Sequence, residues 1–263
     1  MLKKKSLGQN FLKSPKVVSD IISAGKVKGN DTVLEIGPGE GVMTTELLKT
    51  GANVICIEKD DRLIPILQNK FSKEIALGQL ILIHEDILKL NLPKSDFSKK
   101  GGYKVVANIP YYITGQIIRM FLESENKPTS MTLLVQKEVA ERIVARDKKE
   151  SLLSLSVKVF GDPKIIRVVG RGAFNPAPNV DSAVINIENI SKEKLDKLNP
   201  KFFFEVIHAG FAHKRKQLLP NLANNFEKEK IVKAFEDLEM DLKIRAEDVS
   251  LEKWIKLAKL LTK

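Results

Sequence analysis

The sequence predicts an α/β fold with a largely parallel sheet, followed by a small helical domain. Two observations predict the sheet: short apolar runs alternate with helical patterns before residue 165, and glycines follow the first run immediately. A third observation predicts the second domain, because only helical spacing is found from Ser191 onward. We therefore predict an α/β domain over residues 1–190 and a helical domain over residues 191–263.

The elements follow from local signals. A first helix is bounded by Ser14-Pro15, typical of a helix N-terminus, and by Gly25, typical of a C-terminal stop. Strands are predicted at 32–36, 53–57, 80–83, 104–107 and 131–135, and a helix at 42–49. Two later runs, 165–169 and 183–187, predict an antiparallel hairpin at a sheet edge, joined by a proline-rich turn. Three C-terminal helices follow, the last capped by Ser250.

Composition and charge limit the class of protein. The chain of 263 residues carries 44 Lys and Arg against 33 Asp and Glu, a net charge of +11, which favours a polyanionic partner such as nucleic acid. The single cysteine, Cys56, excludes intramolecular disulfides and zinc sites built on several cysteines, and the three histidines show no metal spacing. No apolar run is long enough to span a bilayer, and no secretory signal is recognisable, so we expect a soluble, cytoplasmic protein.

A glycine-rich segment is the first chemical signal. The strand that contains Glu35 leads into Gly37, Gly39 and Gly41 and then a helix, so the backbone can approach a ligand closely. Glu58 ends the next strand, where a carboxylate typically binds the ribose hydroxyls of a nucleoside cofactor. The Gly-x-Gly-x-Gly spacing differs from that of dinucleotide enzymes and suits a cofactor without phosphates, such as S-adenosylmethionine. The alternative is a tight turn with no ligand.

Polar residues also end the next two strands. Asp86 follows the third strand, where it can accept a hydrogen bond from an adenine amino group, or it is simply a helix N-cap or a loop residue. The fourth strand ends in Asn108-Ile109-Pro110-Tyr111. The Asn108 side-chain oxygen and the Pro110 carbonyl can hold both amino hydrogens of an adenine, while Tyr111 stacks on the base. Positioning and electrostatics would then carry methyl transfer to N6. The alternative is a turn that merely ends the strand.

At this point the chain resembles the small-subunit ribosomal RNA adenine dimethyltransferases, the KsgA (RsmA) family. The resemblance extends in order over nearly the whole chain. The matching segments are Leu7-Gly8-Gln9-Asn10-Phe11-Leu12, Glu35-Ile36-Gly37-Pro38-Gly39, Glu58-Lys59-Asp60, Asp86-Ile87-Leu88, Asn108-Ile109-Pro110-Tyr111-Tyr112-Ile113, Phe174-Asn175-Pro176-Ala177-Pro178-Asn179-Val180-Asp181-Ser182-Ala183-Val184, Gly210-Phe211-Ala212-His213-Lys214-Arg215-Lys216 and Arg245-Ala246-Glu247. Leu152-Leu153 depart from the Tyr-Gly that the family usually has there.

The resemblance implies a Rossmann-like class I S-adenosylmethionine methyltransferase sheet and dimethylation at N6 of two adjacent adenosines. These adenosines lie in the 3′-terminal hairpin loop of 16S rRNA, and a ribosomal assembly intermediate is the implied substrate. By motif match, Asn10 and Leu12 line the cofactor site, Gly37 contacts the methionine part, Glu58 the ribose and Asp86 the adenine. Asn108 touches both cofactor and target base, and Phe174 offers a second aromatic face to the flipped adenosine. We expect a monomer.

Two basic clusters are candidates for RNA binding. Lys3, Lys4, Lys5, Lys13 and Lys16 precede the first acidic residue, and Lys214-Arg215-Lys216 form the second cluster. Ordinary solvated charge is the alternative for any single lysine.

The sequence leaves three alternative functions to be weighed against the small-subunit methyltransferase. A large-subunit rRNA adenine methyltransferase of the macrolide-resistance type shares the cofactor and Asn-x-Pro motifs, but the segments 108–112, 180–184 and 210–216 favour the small-subunit group. An RNA-binding assembly factor is the second. A nicotinamide dehydrogenase is the third, and the glycine spacing opposes it.

Overall fold

The computed structural model describes residues 10–90, 102–213 and 215–262. The chain divides into two compact units, one formed by Met1–Ala140 with Asp162–Ile190 and the other by Glu141–Gly161 with Ser191–Lys263. The second unit therefore contains not only the C-terminal helices but also Glu141–Gly161, a segment that the sequence prediction places in the first domain.

Strands make up the centre of the first unit. They are β1 (Phe11–Leu12), β2 (Thr32–Ile36), β3 (Asn53–Glu58), β4 (Leu80–His84), β5 (Tyr103–Asn108), β6 (Ser130–Gln136), β7 (Asp162–Val169), β8 (Phe174–Asn175) and β9 (Ser182–Glu188). Seven of the strands described here form one sheet in the order β4-β3-β2-β5-β6-β9-β7. The pairs from β4 to β6 are parallel, and β9 pairs antiparallel with both β6 and β7. The predicted parallel sheet and the antiparallel hairpin at its edge are confirmed.

The helices described are α1 (Pro15–Ala24), α2 (Val42–Lys49), α3 (Ile64–Lys70), α4 (Ser72–Ala76), α5 (Thr114–Glu123), α6 (Lys137–Val144), α7 (Leu152–Lys158), α8 (Pro200–Gly210), α9 (Leu218–Leu222), α10 (Lys228–Asp237) and α11 (Leu251–Leu261). The predicted limits of α1 and α2 are confirmed, as is the Ser250 cap of α11, whose hydroxyl accepts a hydrogen bond from the Lys253 amide. No helix in the described part of the chain is long and apolar enough to cross a membrane.

The sheet order explains the position of the ligand crevice. After β2 the chain builds β3 and β4 on one side, and it then returns to the other side of β2 for β5 and β6. Ile36 at the end of β2 is opposite Ala107 of β5, so Gly37 and Asn108 follow neighbouring strands at the same edge. Ligands of open α/β sheets bind in the crevice at such a topological switch point. β2 is buried on both faces, as a central parallel strand requires.

A two-stranded ribbon is the part of the fold that the sequence patterns missed. β1 pairs antiparallel with β8, with Phe11 opposite Asn175 and Leu12 opposite Phe174. The segment between β7 and β9, predicted as a simple turn, therefore also carries a 3-10 turn at Arg171–Ala173 and a strand. Two-residue strands are too short to show a hydrophobic period, which is why no local pattern indicated them.

The second unit is helical throughout its described residues. Phe203, Val206 and Ile207 of α8 are buried, as predicted from their spacing, and Trp254 of α11 is fully buried. The departure at Leu152-Leu153 lies in the first turn of α7, where Ser151 and Ser154 form a capping box.

Candidate active site

A cleft of about 930 Å³, including the part open to solvent, lies at the switch point of the sheet in the first unit. Seven of the nine predicted site residues line it, and they come from the ends of different strands and from the segment before β1. These seven are Asn10, Gly37, Glu58, Asp86, Asn108, Pro110 and Tyr111. The structure thus brings together residues that are far apart in the sequence.

The two other predicted residues lie outside this cleft. Leu12 is nearly buried and lines a smaller adjoining cavity, together with Glu35, Gly37 and Asn108. Phe174 is only 2% exposed and packs in the hydrophobic core beside the ribbon. In this structure its ring therefore presents no open face to the cleft.

Two positions in the loop after β2 require glycine, each for a different structural reason. Gly37 has a φ of +65°, and a Cβ there would meet nothing within 4 Å, so its backbone faces open space. Gly39 has a φ of +58°, and a Cβ would lie 2.8 Å from the Phe11 ring. The loop therefore passes under the N-terminal segment at a distance that only glycine allows, while Gly37 leaves room for a ligand.

Glu58 is held at the end of β3 by backbone donors. Its Oε2 accepts a hydrogen bond from the Gly39 amide at 3.2 Å, and its Oε1 accepts one from the Asp60 amide at 2.8 Å. Burial raises the pKa of the Glu58 carboxyl, and these amide donors partly offset the effect. The side chain is therefore fixed in orientation at the wall of the cleft.

Asp86 forms an ion pair that no local sequence pattern predicts. Its Oδ2 lies 2.8 Å from Nζ of Lys59, and its Oδ1 accepts a hydrogen bond from the Leu88 amide at 3.1 Å. The hydrogen bond from Lys59 lowers the pKa of the Asp86 carboxyl, so the group is ionised at neutral pH. Lys59 also lines the cleft and neutralises this charge.

Asn108 is the last residue of β5, and the nitrogen of its side-chain amide makes a hydrogen bond within the protein. Its Nδ2 donates to the main-chain carbonyl of Asn10 at 3.0 Å, which leaves Oδ1 as the acceptor presented to a ligand. The Pro110 carbonyl accepts a hydrogen bond from the Ile113 amide at 3.2 Å and retains its second lone pair. Two acceptors therefore stand together at the edge of the cleft.

Tyr111 follows in a 3-10 turn over Tyr111–Ile113. Its ring is half-buried, and its hydroxyl lies 2.7 Å from Oγ of Ser182, the first residue of β9. Burial raises the pKa of the Tyr111 hydroxyl, which is therefore neutral at physiological pH. Tyr112 beside it is largely exposed.

Glu35 is a residue of the site for which sequence reasoning assigned no role. It is fully buried in β2, and its Oε2 accepts hydrogen bonds from Thr44 Oγ1 at 2.6 Å and Cys56 Sγ at 3.3 Å. Its Oε1 is buried and has no hydrogen-bond partner within residues 10–90, 102–213 and 215–262, and Glu35 lines the adjoining cavity. Burial raises the pKa of the Glu35 carboxyl to about 7. The sequence signal that could have indicated a role for Glu35 is its position as an acidic residue inside an apolar strand, just before a glycine-rich loop.

Comparison with known proteins places this geometry among RNA-modifying enzymes. The family model described as ribosomal RNA adenine dimethylase matches residues 1–263. A protein from Dehalococcoides mccartyi named ribosomal RNA small subunit methyltransferase A is 43% identical over 256 residues, covering 97% of this chain and 87% of the relative. A relative of the same name from Clostridium botulinum is 40% identical over 257 residues, covering 97% and 92%.

Solved structures agree with the fold. A dimethyladenosine transferase from Plasmodium falciparum has a TM-score of 0.80 and 28% identity, covering 94% of this chain and 95% of that one. The 23S rRNA methyltransferase ErmE has a TM-score of 0.78 and 24% identity, covering 96% and 99%. The second likeness supports the fold alone.

Proposed function

Because this chain belongs to the ribosomal RNA adenine dimethylase family and is a methyltransferase that uses S-adenosylmethionine, we propose its substrate and the roles of its residues. The enzyme methylates N6 of two adjacent adenosines in the 3′-terminal hairpin loop of small-subunit rRNA, giving N6,N6-dimethyladenosines. The observation that supports the N6 chemistry most directly is the Asn108 amide at the cleft, whose Nδ2 donates to Asn10 and so leaves Oδ1 as the acceptor for an amino group.

Two independent observations support the fit of S-adenosylmethionine, the methyl donor, to the cleft. The backbone at Gly37 faces open space that a side chain would occupy, and the nearby buried Glu35 Oε1 has no hydrogen-bond partner among the residues that the structure describes. Because the Glu35 carboxyl is fully buried, its ionised form would favour a cationic ligand nearby through its charge and not through direct contact. Glu58 and Asp86 hold the ribose hydroxyls and the adenine amino group. S-adenosylmethionine supplies an electrophilic methyl group bonded to a positively charged sulfur.

The residues at the end of β5 prepare the target base. The lone pair of an adenine N6 is delocalised into the ring, so the nitrogen is a weak nucleophile. Asn108 Oδ1 and the Pro110 carbonyl accept its two amino hydrogens and favour a pyramidal nitrogen whose lone pair faces the methyl group. Tyr111 stacks on the base that has been flipped into the cleft. Methyl transfer would form the N6–carbon bond as the carbon–sulfur bond breaks, leaving S-adenosylhomocysteine, and the N6 proton would then pass to solvent. No side chain has to act as a base beforehand, so positioning carries the catalysis.

The substrate is assigned from the relatives. Those at 40–43% identity are named for the small ribosomal subunit, whereas the likeness to a 23S rRNA methyltransferase supports the fold alone. We place the reaction on an assembly intermediate of the small subunit in the cytoplasm, with the enzyme acting as a monomer. Exposed basic residues in both units, Lys13 and Lys16 in one and Arg215 and Lys216 in the other, provide phosphate contacts. Lys3, Lys4, Lys5 and Lys214 lie outside the described residues.

The proposal is tested by transfer of a radiolabelled methyl group to small ribosomal subunits that lack the dimethylated adenosines. Large subunits are the control substrate, and nuclease digestion maps the product. Dimethyladenosine in the small subunit alone is the expected result. Methyl label in the large subunit would instead identify the enzyme as a large-subunit rRNA methyltransferase of the macrolide-resistance type. Tight RNA binding without methyl label in either subunit would indicate an assembly factor.

A further inference from the structure

Ser182 is a buried residue that the mechanism above does not use, although its hydroxyl meets that of Tyr111, which lines the cleft. It is fully inaccessible to solvent, and its hydroxyl lies 2.7 Å from the hydroxyl of Tyr111, 71 positions earlier in the chain. The aromatic ring that stacks on the base is therefore anchored at its far end to another strand.

The anchor point is rigid because β9 lies between two other strands at this residue. Ser182 is opposite Gln136 of β6 on one side and Val169 of β7 on the other. The residue before it, Asp181, accepts hydrogen bonds from the Lys137 amide at its carbonyl, 3.0 Å away, and from the Arg171 amide at its carboxylate, 3.2 Å away. The Ser182 backbone therefore has little freedom to move.

Tyr111, in contrast, lies in a short 3-10 turn three positions after Asn108 and is only half-buried. A tyrosine ring in such a turn rotates about two side-chain bonds unless its hydroxyl is held. The hydrogen bond to Ser182 fixes the tilt of the ring relative to the neighbouring Asn108 amide. Both groups meet the same base, so their relative orientation decides whether the N6 atom reaches the attacking position.

We infer that Ser182 is a positioning residue for methyl transfer, which holds the Tyr111 ring in the orientation that receives the target adenosine. This inference rests on the proposed function, in which Tyr111 stacks on the base. Ser182 does not contact substrate itself and acts through the tyrosine.

The test compares Ser182→Ala, Tyr111→Phe and the double variant in methyl transfer to small ribosomal subunits. Each single change removes the same hydrogen bond, so we expect each to lower kcat about three- to tenfold. The double variant should lose no more than the larger single effect, because the two residues act as one unit. The dissociation constant for S-adenosylmethionine should stay the same, since neither hydroxyl is assigned to cofactor binding.

A matched control separates positioning from stability. Tyr103 lies at the opposite end of β5, and its hydroxyl donates to the Asn126 carbonyl at 2.9 Å. Tyr103→Phe makes the same chemical change away from the cleft, so it should lower the melting temperature comparably without lowering kcat.

The outcomes are distinguishable. If the effects of Ser182→Ala and Tyr111→Phe on kcat multiply in the double variant, Ser182 has no positioning role. The same conclusion follows if Tyr103→Phe lowers kcat as much as they do for a comparable loss of melting temperature. An unchanged kcat in Ser182→Ala would also overturn the inference. Failure of the wild-type enzyme to methylate small subunits would instead contradict the proposed function.

Discussion

The side-chain Nδ2 of Asn108 donates a hydrogen bond to the main-chain carbonyl of Asn10, 3.0 Å away and 98 positions earlier in the chain. The bond determines which atom of the amide is left for a ligand, because the opposite orientation would bring two oxygens together. The N-terminal segment thus orients the group that meets the target base. That segment is itself fixed by the ribbon between β1 and β8 and by the contact of Phe11 with Gly39.

Substitution of Asn108 tests this arrangement. We expect Asn108→Ala and Asn108→Asp each to lower kcat about a hundred- to a thousandfold, as loss of one preorganised polar group does elsewhere. The alanine removes the acceptor, and the aspartate keeps acceptors but cannot donate to Asn10. Radiolabelled methyl transfer measures the rate, and calorimetric titration should show that S-adenosylmethionine still binds. Dimethylation by either variant at the wild-type rate would disprove the role of the amide.

Glu58 tests the assignment of the cofactor subsite. Its carboxylate is held by the Gly39 and Asp60 amides, so Glu58→Ala removes both the proposed ribose acceptor and the acceptor of these two hydrogen bonds. We expect the dissociation constant for S-adenosylmethionine to rise at least about tenfold, since hydrogen bonds to charged groups are strong. Glu46→Ala is the control, because Glu46 is partly exposed and pairs only with Lys49 on α2 among its described contacts. Equal affinities of Glu58→Ala and Glu46→Ala for S-adenosylmethionine would show that Glu58 is not part of the cofactor site.

The basic pair Arg215 and Lys216 tests the RNA surface of the second unit. Both side chains are exposed, and replacing both with alanine should weaken RNA binding and reduce its salt dependence. The slope of log K against log salt should become shallower by roughly 1.4 to 1.8 if each residue contacts one phosphate. Lys228 and Lys230, also exposed, provide a charge-matched control pair. A slope equal to that of the control pair would mean that Arg215 and Lys216 are ordinary surface charges.

Three of the site residues that the sequence could predict share one feature, which is a polar side chain at or just after the end of an apolar strand. Glu58, Asp86 and Asn108 fit this pattern, and the parallel order of β2, β3, β4 and β5 brings the ends of their strands to one edge. Such residues can be found without knowing any long-range contact, because the sheet geometry makes the contact for them.

Other residues could not be predicted because their roles depend on pairing between distant segments. Ser182 becomes an anchor only because β9 lies beside β6, and nothing in its local pattern indicates a contact with Tyr111. The family resemblance implies that Phe174 faces the target base. In the structure Phe174 instead pairs with Leu12 across the ribbon, and its ring is buried in the core.

Glu35 provides a prediction about pH. Burial raises the pKa of its carboxyl to about 7 in the folded protein, from 4.5 in an unfolded chain. The folded state therefore binds a proton more tightly than the unfolded state, so this residue destabilises the fold most above pH 7. The destabilisation is relieved as the pH falls from about 7 towards 4.5. The difference between these pKa values corresponds to roughly 3 kcal/mol.

Glu35→Gln removes this titration while retaining an acceptor for Thr44. We expect the variant to gain stability relative to the wild type as the pH rises from 5 to 8, measured by urea denaturation at each pH, because the other titrating groups are common to both proteins. The buried carboxylate should also attract a cationic cofactor, so the wild type alone should bind S-adenosylmethionine more tightly above pH 7. A constant stability difference between the two proteins across this range would show that Glu35 titrates outside it, and the pH dependence of binding would then need another group.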